Sequence, residues 1–460
     1  MSGATEPTLR DLATCFEGAV PAVIATASAD GTPNVTYLSR VQRVGDDRIA
    51  LSNQFFSKTA RNLAENPRAS LLLIDPTTYD QYRLCVAYER TERRGPVFER
   101  LRADVDALAA LEGMQDVFKL RAADIYRVLH IEETPSRLRP LAAVGDERTD
   151  PIDGPGAAAL AQLAGRLARA ADLDTLVTAT VDALAELFDY DHSMLLLLDE
   201  QGRRLYTIAS RGYDAEGVGS EVVVGEGLIG MAAARGVPLR IGNLRQMSKY
   251  SRTLRRSFEG SGALEPGADI PVPDLPEVQS RIAVPALALG QLVGVVVVES
   301  TRPVAFTATD EAVLVVVASL LAGALEAERT NDRVAEPSLS PASQTSSSVG
   351  PVTRVRFFEA DGSTFLDGDY LIKGVAGRIL WALLGHHDRE KRVEFTNREV
   401  RLDPSLDLPS FRDNFESRLI LLKRRLEERE APVRIQKTGR GCFRLVVDGP
   451  IVLDLVGPVP

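Results

Sequence analysis

The sequence predicts a multidomain protein with three folded units: a small antiparallel β-barrel, an α+β unit, and a unit of short strands, three helices and a closing hairpin. Three observations lead there. The chain has 460 residues, and at roughly 100 to 200 residues per domain one core cannot serve it. Two composition breaks interrupt it: 145–156 (GDERTDPIDGPG) gathers Asp, Pro and Gly, and 336–350 (EPSLSPASQTSSSVG) is Ser- and Pro-rich with almost no bulky apolar residue. The first reads as an interdomain connection and the second as a tether. The hydrophobic period also changes from two in the first unit to mixed in the second and third. The expected units are 1–145, 155–333 and 351–460, with 334–350 as linker.

Composition limits the function. Apolar residues make up 45% and charged residues 26%, far from a disordered profile. The net charge of -10 excludes a polyanion-binding surface over the whole protein. By segment the charge is about -1, -7 and +2 for the three units, so only the third is expected to meet nucleic acid. The cysteines Cys15, Cys85 and Cys442 are far apart, and four histidines show no metal-ligand spacing, so neither a disulfide framework nor a metal site is expected. The polar N-terminus does not read as a signal peptide, and the apolar run 292–298 is too short to span a bilayer. A cytoplasmic protein is expected.

In the first unit, 22–28, 34–44, 48–53, 69–75 and 82–90 are short segments rich in Val, Ile, Leu and Tyr, with turn signals at Asp30-Gly31 and Gly45-Asp46-Asp47. Between the third and fourth, 57–65 has a helical pattern, with Ser57 as candidate N-cap and Asn66-Pro67 as its stop. Hydroxyls, amides and Lys58 at that helix N-terminus, with Arg40 or Arg43 from the preceding strand, suit a phosphate monoester. The spacing alone is equally served by Ser57 as a simple cap and Lys58 as a solvated charge. The segment SNQFFSKTARNLAENP resembles the FMN-phosphate segment of the pyridoxamine 5'-phosphate oxidase-like split-barrel family. The resemblance implies that Ser57, Lys58 and Thr59 take the phosphate-binding positions and that Ser52 and Asn53 contact the flavin. Thr59 stands where that family has a Lys, which leaves deazaflavin, haem or no cofactor as alternatives to FMN. Ser136-Arg137-Leu138-Arg139 replaces the family's Arg-x-His, so vitamin B6 oxidation is not expected.

The middle unit opens with two amphipathic patterns, 157–170 and 174–187, followed by strands at 193–198, 204–210, 280–289 and 292–299, the last pair joined by a turn at Gly290-Gln291. The run Gly225-Glu226-Gly227-Leu228-Ile229-Gly230 lacks the preceding parallel strand unit and the later ribose-binding acid in register that a dinucleotide fold needs. GEGLIGMAAARGVPLRIGNL, then RIAVPALALGQLVGVVVVES, then Phe306 with Asp310 and Glu311, resemble a GAF domain. That resemblance implies a small-molecule cup and leaves its ligand open. Ser300-Thr301 occupies the place of the Asn-Lys pair of cyclic-nucleotide GAF domains, and no cysteine is available for a bilin. Segment 245–279 is a long insertion, read either as a lid or as a passive loop. The apolar helix 310–329 calls for a packing partner.

The third unit shows short strands at 355–358, 363–366 and 370–372, a helix at 376–384 ending at Gly385, and a short helix around Glu399 capped by Thr396 or Asn397. A third helix, 410–428, places Phe411, Phe415, Leu419, Leu422 and Leu426 on one stripe, and a hairpin follows around Gly439-Arg440-Gly441. This order resembles the winged-helix output domain of OmpR/PhoB-type response regulators. The resemblance implies a recognition helix over 418–427, a wing over 435–445 and double-stranded DNA as partner. Arg412, Asn414, Arg418, Lys423, Arg425 and Arg440 are the candidate DNA-binding residues. A winged helix used for protein contacts remains open, since Asp413 and Glu416 oppose phosphate.

Together these expectations describe a homodimeric, flavin- or ligand-sensing transcription regulator, with an unidentified small molecule in the GAF cup. An FMN-dependent oxidoreductase regulated by its GAF domain is the competing class, although no general acid, base or nucleophile constellation stands out. An interaction protein that does not bind DNA is the third.

Overall fold

The computed structural model describes residues 7–18, 20–38, 40–53, 57–76, 78–111, 119–134, 136, 155–214, 217–244, 275–334, 352–406, 415–439 and 441–457. Most of the 145–156 connection, the 336–350 tether and most of the 245–279 insertion lie outside them.

The first unit is a seven-stranded antiparallel sheet in the order β2-β1-β5-β6-β7-β4-β3. Its strands are β1 (Ala22–Ala27), β2 (Pro33–Leu38), β3 (Val41–Val44), β4 (Arg48–Asn53), β5 (Arg68–Ile74), β6 (Gln81–Glu92) and β7 (Ala122–Thr134). Helix α1 (Ser57–Glu65) follows β4, and α2 (Pro96–Leu111) lies between β6 and β7. The 34–44 strand expected from the sequence is two strands. Arg40 breaks it, because its N–H donates to Ser52 Oγ at 3.0 Å and its C=O accepts from the Ser52 N–H at 3.1 Å. Ile24, Leu38, Ile49, Leu51, Leu71, Leu84 and Tyr126 fill one core. Phe98, Leu101 and Val105 of α2 cover Ala50, Ala123 and Ile125 in another.

The middle unit is a six-stranded antiparallel sheet in the order β10-β9-β8-β13-β12-β11. The strands are β8 (His192–Leu198), β9 (Arg204–Arg211), β10 (Glu221–Val223), β11 (Leu239–Ile241), β12 (Ser280–Ala288) and β13 (Gln291–Ser300). Helices α3 (Pro155–Ala168), α4 (Leu173–Phe188) and α6 (Ala308–Val334) pack on one face, and α5 (Gly227–Arg235) on the other. Both faces are therefore buried, which is why β13 reads as an unbroken apolar run. The β12–β13 turn sits at Leu289-Gly290, one residue earlier than expected. Both residues have positive φ, 49° and 76°, as the two-residue turn that matches strand twist requires. The ends of the insertion lie side by side, with the Leu244 N–H donating to the Gln279 C=O at 2.7 Å.

Helix α6 corrects the reading of apolar length. Ala308–Ala327 is long and apolar enough to cross a membrane by length and composition, with mean hydropathy 1.8. Here Leu314, Val317, Leu321 and Leu325 bury one side of it in the sheet core, while Val315, Val316 and Leu320 remain exposed.

The C-terminal unit has a four-stranded sheet in the order β16-β15-β14-β20, built from β14 (Thr353–Phe358), β15 (Ser363–Leu366), β16 (Asp369–Ile372) and β20 (Ile451–Val456). β20 pairs with β14 in parallel. Helices α7 (Gly374–Glu390), α8 (Asn397–Arg401) and α9 (Phe415–Glu428) follow, with a three-stranded sheet of β17 (Glu394–Thr396), β19 (Cys442–Val447) and β18 (Val433–Gly439). Thr396 caps α8 in a reciprocal box with Glu399. Helix α7 runs through Gly385 to Glu390, where Lys391 in the left-handed region ends it. The apolar stripe of α9 lies in its own unit's core, and this core is continuous with that of the middle unit.

Candidate functional site

Two places collect the residues that the sequence singled out. The first is the junction of β4 and α1. Ser52, at the end of β4, is buried and committed to the Arg40 backbone. Asn53 Nδ2 donates to Asp124 Oδ2 at 2.9 Å, and the Asp124 carboxyl is pushed up by burial. Thr59 is buried and accepts from Asn34 Nδ2 at 3.0 Å, which ties α1 to β2. Asn62 and Thr26 make a second buried tie at 3.1 Å. Lys58 in the first turn of α1 is exposed, as is Arg43 on β3. The Ser57 side chain lies outside the described set.

Arg40 requires correction as a phosphate ligand. Its guanidinium is buried, donates to the Glu17 carbonyl and pairs with Asp104 at 3.4 Å. It belongs to a chain of charges between the barrel and the middle unit. Arg240 pairs with Glu17 and, at 3.1 Å, with Glu311 in the first turn of α6; Arg100 of α2 holds the same Glu311 at 2.7 and 2.9 Å. Burial pushes the Glu17 carboxyl up even against Arg240 and Arg40.

The second place is the outer side of α9. Arg418 grips Glu200 in two hydrogen bonds of 2.9 and 2.7 Å, and its guanidinium carbon sits 3.9 Å from the centre of the Tyr206 ring. Lys423 reaches Asp174 at 2.8 Å, Arg424 reaches the same carboxylate at 2.7 and 3.0 Å, and Lys437 of β18 reaches Asp172 at 2.6 Å. Arg425 also requires correction as a phosphate ligand. It is buried, with Nε donating to the Leu371 carbonyl at 3.0 Å and Nη1 to Glu428 at 2.6 Å, so it braces its own unit. Arg412, Asn414 and Arg440 lie outside the described residues.

These contacts titrate. Burial acts to raise the Asp172 carboxyl, but Lys437 and the Thr175 N–H and hydroxyl outweigh it and hold it at about 2. Asp174 is likewise lowered, its burial outweighed by Lys423 and Arg424. A depressed carboxyl stabilises the docked state above the ordinary value of 3.8, and that contribution disappears as pH falls toward about 2. Thermal melts of Asp172→Asn and the unchanged protein should therefore differ above about pH 4 and converge as the pH approaches 2.

On the α5 side of the sheet, a buried Glu299 accepts from the Tyr213 hydroxyl at 3.0 Å and pairs with Arg281. The Tyr213 hydroxyl is pushed up, first by burial and then by Glu299. Glu17, Arg240, Asp172, Asp174, Glu200 and Tyr206 escaped the sequence reading as site residues, and Glu311 entered it only as part of the GAF motif. The one signal for the three carboxylates Asp172, Asp174 and Glu200 was the charge contrast between an acidic middle unit and a basic third unit.

Residues 9–129 match the family model for pyridoxamine 5'-phosphate oxidase, and residues 172–325 match the GAF domain model. The chain thus carries a pyridoxamine 5'-phosphate oxidase-like domain and a GAF domain; neither match extends into the C-terminal unit. No curated protein matches the chain. Among solved structures, it is similar to the GAF domain of an Acinetobacter phosphoenolpyruvate-protein phosphotransferase, with 23% identity over 38% of this chain and 94% of that one, TM-score 0.31. It is similar to an FMN-binding protein from Syntrophomonas wolfei subsp. wolfei, with 20% identity over 28% and 86%, TM-score 0.23. An F420 reductase is similar at 16% identity over 26% and 93%, TM-score 0.20.

Proposed function

We propose that the protein is a ligand-sensing transcription regulator, in which an FMN-binding barrel and a GAF cup govern a winged-helix unit that binds double-stranded DNA. The observation that carries this reading is the physical continuity of the three units. Arg100 of α2 and Glu17 meet Glu311 and Arg240 of the GAF domain, and α4 and β9 on the far side of the same domain meet α9. A ligand biases an output only through two arrangements that it binds unequally. Such contacts give both sensory units a route to the output. An amphipathic α9 beside the β18–β19 hairpin supports a DNA-reading role. The engagement of its cations by protein carboxylates favours a second reading, a winged helix for protein contacts. The measurement that separates them is binding of full-length protein to a DNA duplex across a salt series. Under the first reading, Lys423→Ala should flatten the log–log salt slope by about one for any sequence; no binding at low salt leaves the second.

For the barrel, exposed Lys58 and the first-turn N–H groups of α1, a nine-residue helix, form a donor set that fits a phosphate. A bound FMN would supply redox chemistry; Lys58 and the helix terminus would hold its phosphate. Lys58→Ala should weaken FMN binding by roughly ten- to a hundredfold in a titration, since a charged hydrogen bond contributes about 1.5–3 kcal/mol. Unchanged affinity would remove the site. The exposed Val315, Val316 and Leu320 on α6 and Val35 and Tyr37 on β2 support a homodimer in which a second copy covers apolar surface. Light scattering at micromolar concentration should give twice the chain mass of 49.9 kDa.

A further inference from the structure

We propose that Asp172, Asp174 and Glu200 of the GAF domain form an acidic docking surface that masks α9, so that protein carboxylates and DNA phosphates compete for the same cations. The inference rests on the reading that the C-terminal unit binds DNA, and it specifies how that site is regulated.

Among the described residues, the ion pairs between the two units run in one direction. Each is a cation of the C-terminal unit on a carboxylate of the GAF domain: Arg418 on Glu200, Lys423 and Arg424 on Asp174, Lys437 on Asp172, and Lys373 on Glu221 at 3.3 Å. The fit is stereochemical as well as electrostatic. Arg418 and Glu200 are only 11% and 10% exposed. Tyr206 stacks under the guanidinium and shares a 2.8 Å hydrogen bond with Ser417. Arg424 adds the Ile208 carbonyl at 3.1 Å and Thr178 Oγ1 at 2.8 Å. The apolar residues Phe415, Leu419, Leu422 and Leu426 lie in a core continuous with that of the middle unit, and the ion pairs engage the polar side of α9. A helix with side chains is about 10–12 Å across and fills a major groove about 12 Å wide. Covered by another domain along its cationic side, α9 has no room to enter one.

The surface is also wired to the cup. Successive residues of a strand point to opposite faces. On β9, Leu205 lies in the cup cluster with Met194, Val295 and Leu228, whereas its neighbour Tyr206 faces the other way onto Arg418. Glu200 sits in the β8–β9 connection. A molecule that shifts β9 from the cup side therefore moves the platform under Arg418 and the turn that carries its counter-charge.

The test uses the full-length protein and fluorescence anisotropy with a random-sequence DNA duplex. The double variant Glu200→Gln, Asp174→Asn keeps the side-chain shapes and removes the counter-charges. It should bind at least about tenfold more tightly than the unchanged chain, because apparent affinity scales with the fraction of molecules whose site is open. Asp46→Asn with Glu186→Gln removes the same charge from carboxylates that do not touch α9 and should stay within about twofold, since distant exposed charges are screened. A gentler variant, Tyr206→Phe, removes only the bond to Ser417 and should tighten binding by a few fold. Hydrogen exchange over 415–428 checks that α9 stays folded in each. Measurable binding that is equal in the unchanged protein and the Tyr206→Phe and double variants overturns the masking and leaves the DNA reading standing. No binding by any of them, with α9 protected, overturns the DNA reading and the masking with it.

Discussion

Truncating Leu321 to alanine is expected to destabilise the GAF domain by about 2–5 kcal/mol, while the same truncation at the adjacent Leu320 should change its stability by less than about 0.5 kcal/mol. Leu321 is 0% exposed and lies in the core with Val317 and Leu325 against the sheet; Leu320 is 37% exposed. One step along a helix turns the side chain by about 100°, which is the whole difference between the two. Thermal or denaturant unfolding reads the first effect, where a near-neutral Leu321→Ala would contradict the packing of α6. The second position has its own readout: Leu320→Asp should leave the melt in place and shift the protein toward monomer in light scattering.

What the sequence made legible followed local chemistry. The β4 strand and α1 were readable to the residue, because a Gly-Asp-Asp turn opens the strand and Asn66-Pro67 stops the helix. The family models then matched the same two regions that the motifs around α1 and α5 had pointed to. Less local features stayed hidden. The strand β20 pairs with β14 across nearly the whole C-terminal unit, and no short-range signal announces a parallel partner. The break between β2 and β3 depends on Arg40 meeting Ser52, a tertiary fact. The α2 helix and β7 went unread, although Phe98, Leu101 and Val105 carry helical spacing.

The candidate site divides the same way. Residue type identified Lys58 and the cations of α9 as chemically able to hold phosphate, but type says nothing about which charges are already taken. Arg40 and Arg425 have the same chemistry as Arg418 and are spent inside the protein, on a carbonyl and a carboxylate each. Partners of Arg418, Lys423 and Arg424 lie more than 200 positions away in sequence. The segment charges did contain that pairing in averaged form, since an acidic unit and a basic unit on one chain attract each other.

Two glycines of α7 should respond with opposite sign to the same substitution. Replacing a helix-interior glycine with alanine ordinarily stabilises by about 0.5–1 kcal/mol, through reduced backbone freedom in the unfolded chain. Gly385 meets that case: the helix continues through it, and an added Cβ would lie 3.3 Å from the tip of the Arg389 side chain, which can swing away. Gly385→Ala should raise stability by that amount, and a loss instead would indicate that α7 ends there, as its sequence suggested. Gly377 is eight residues earlier on the same helix. There a Cβ would fall 2.0 Å from the Gly362 carbonyl oxygen and 2.8 Å from Thr364 Oγ1, in the turn and strand against which α7 packs. Backbone cannot step aside as a side-chain tip can, so α7 must lift off the sheet or the β14–β15 turn must deform, at about 1–3 kcal/mol or more. Gly377→Ala should therefore lower the melting temperature despite its better helix propensity. Because α7 also supports α9 through the shared core of Leu380, Leu383 and Leu422, the variant should loosen hydrogen-exchange protection over 415–428. A gain in stability at Gly377 would mean that α7 does not approach the sheet this closely.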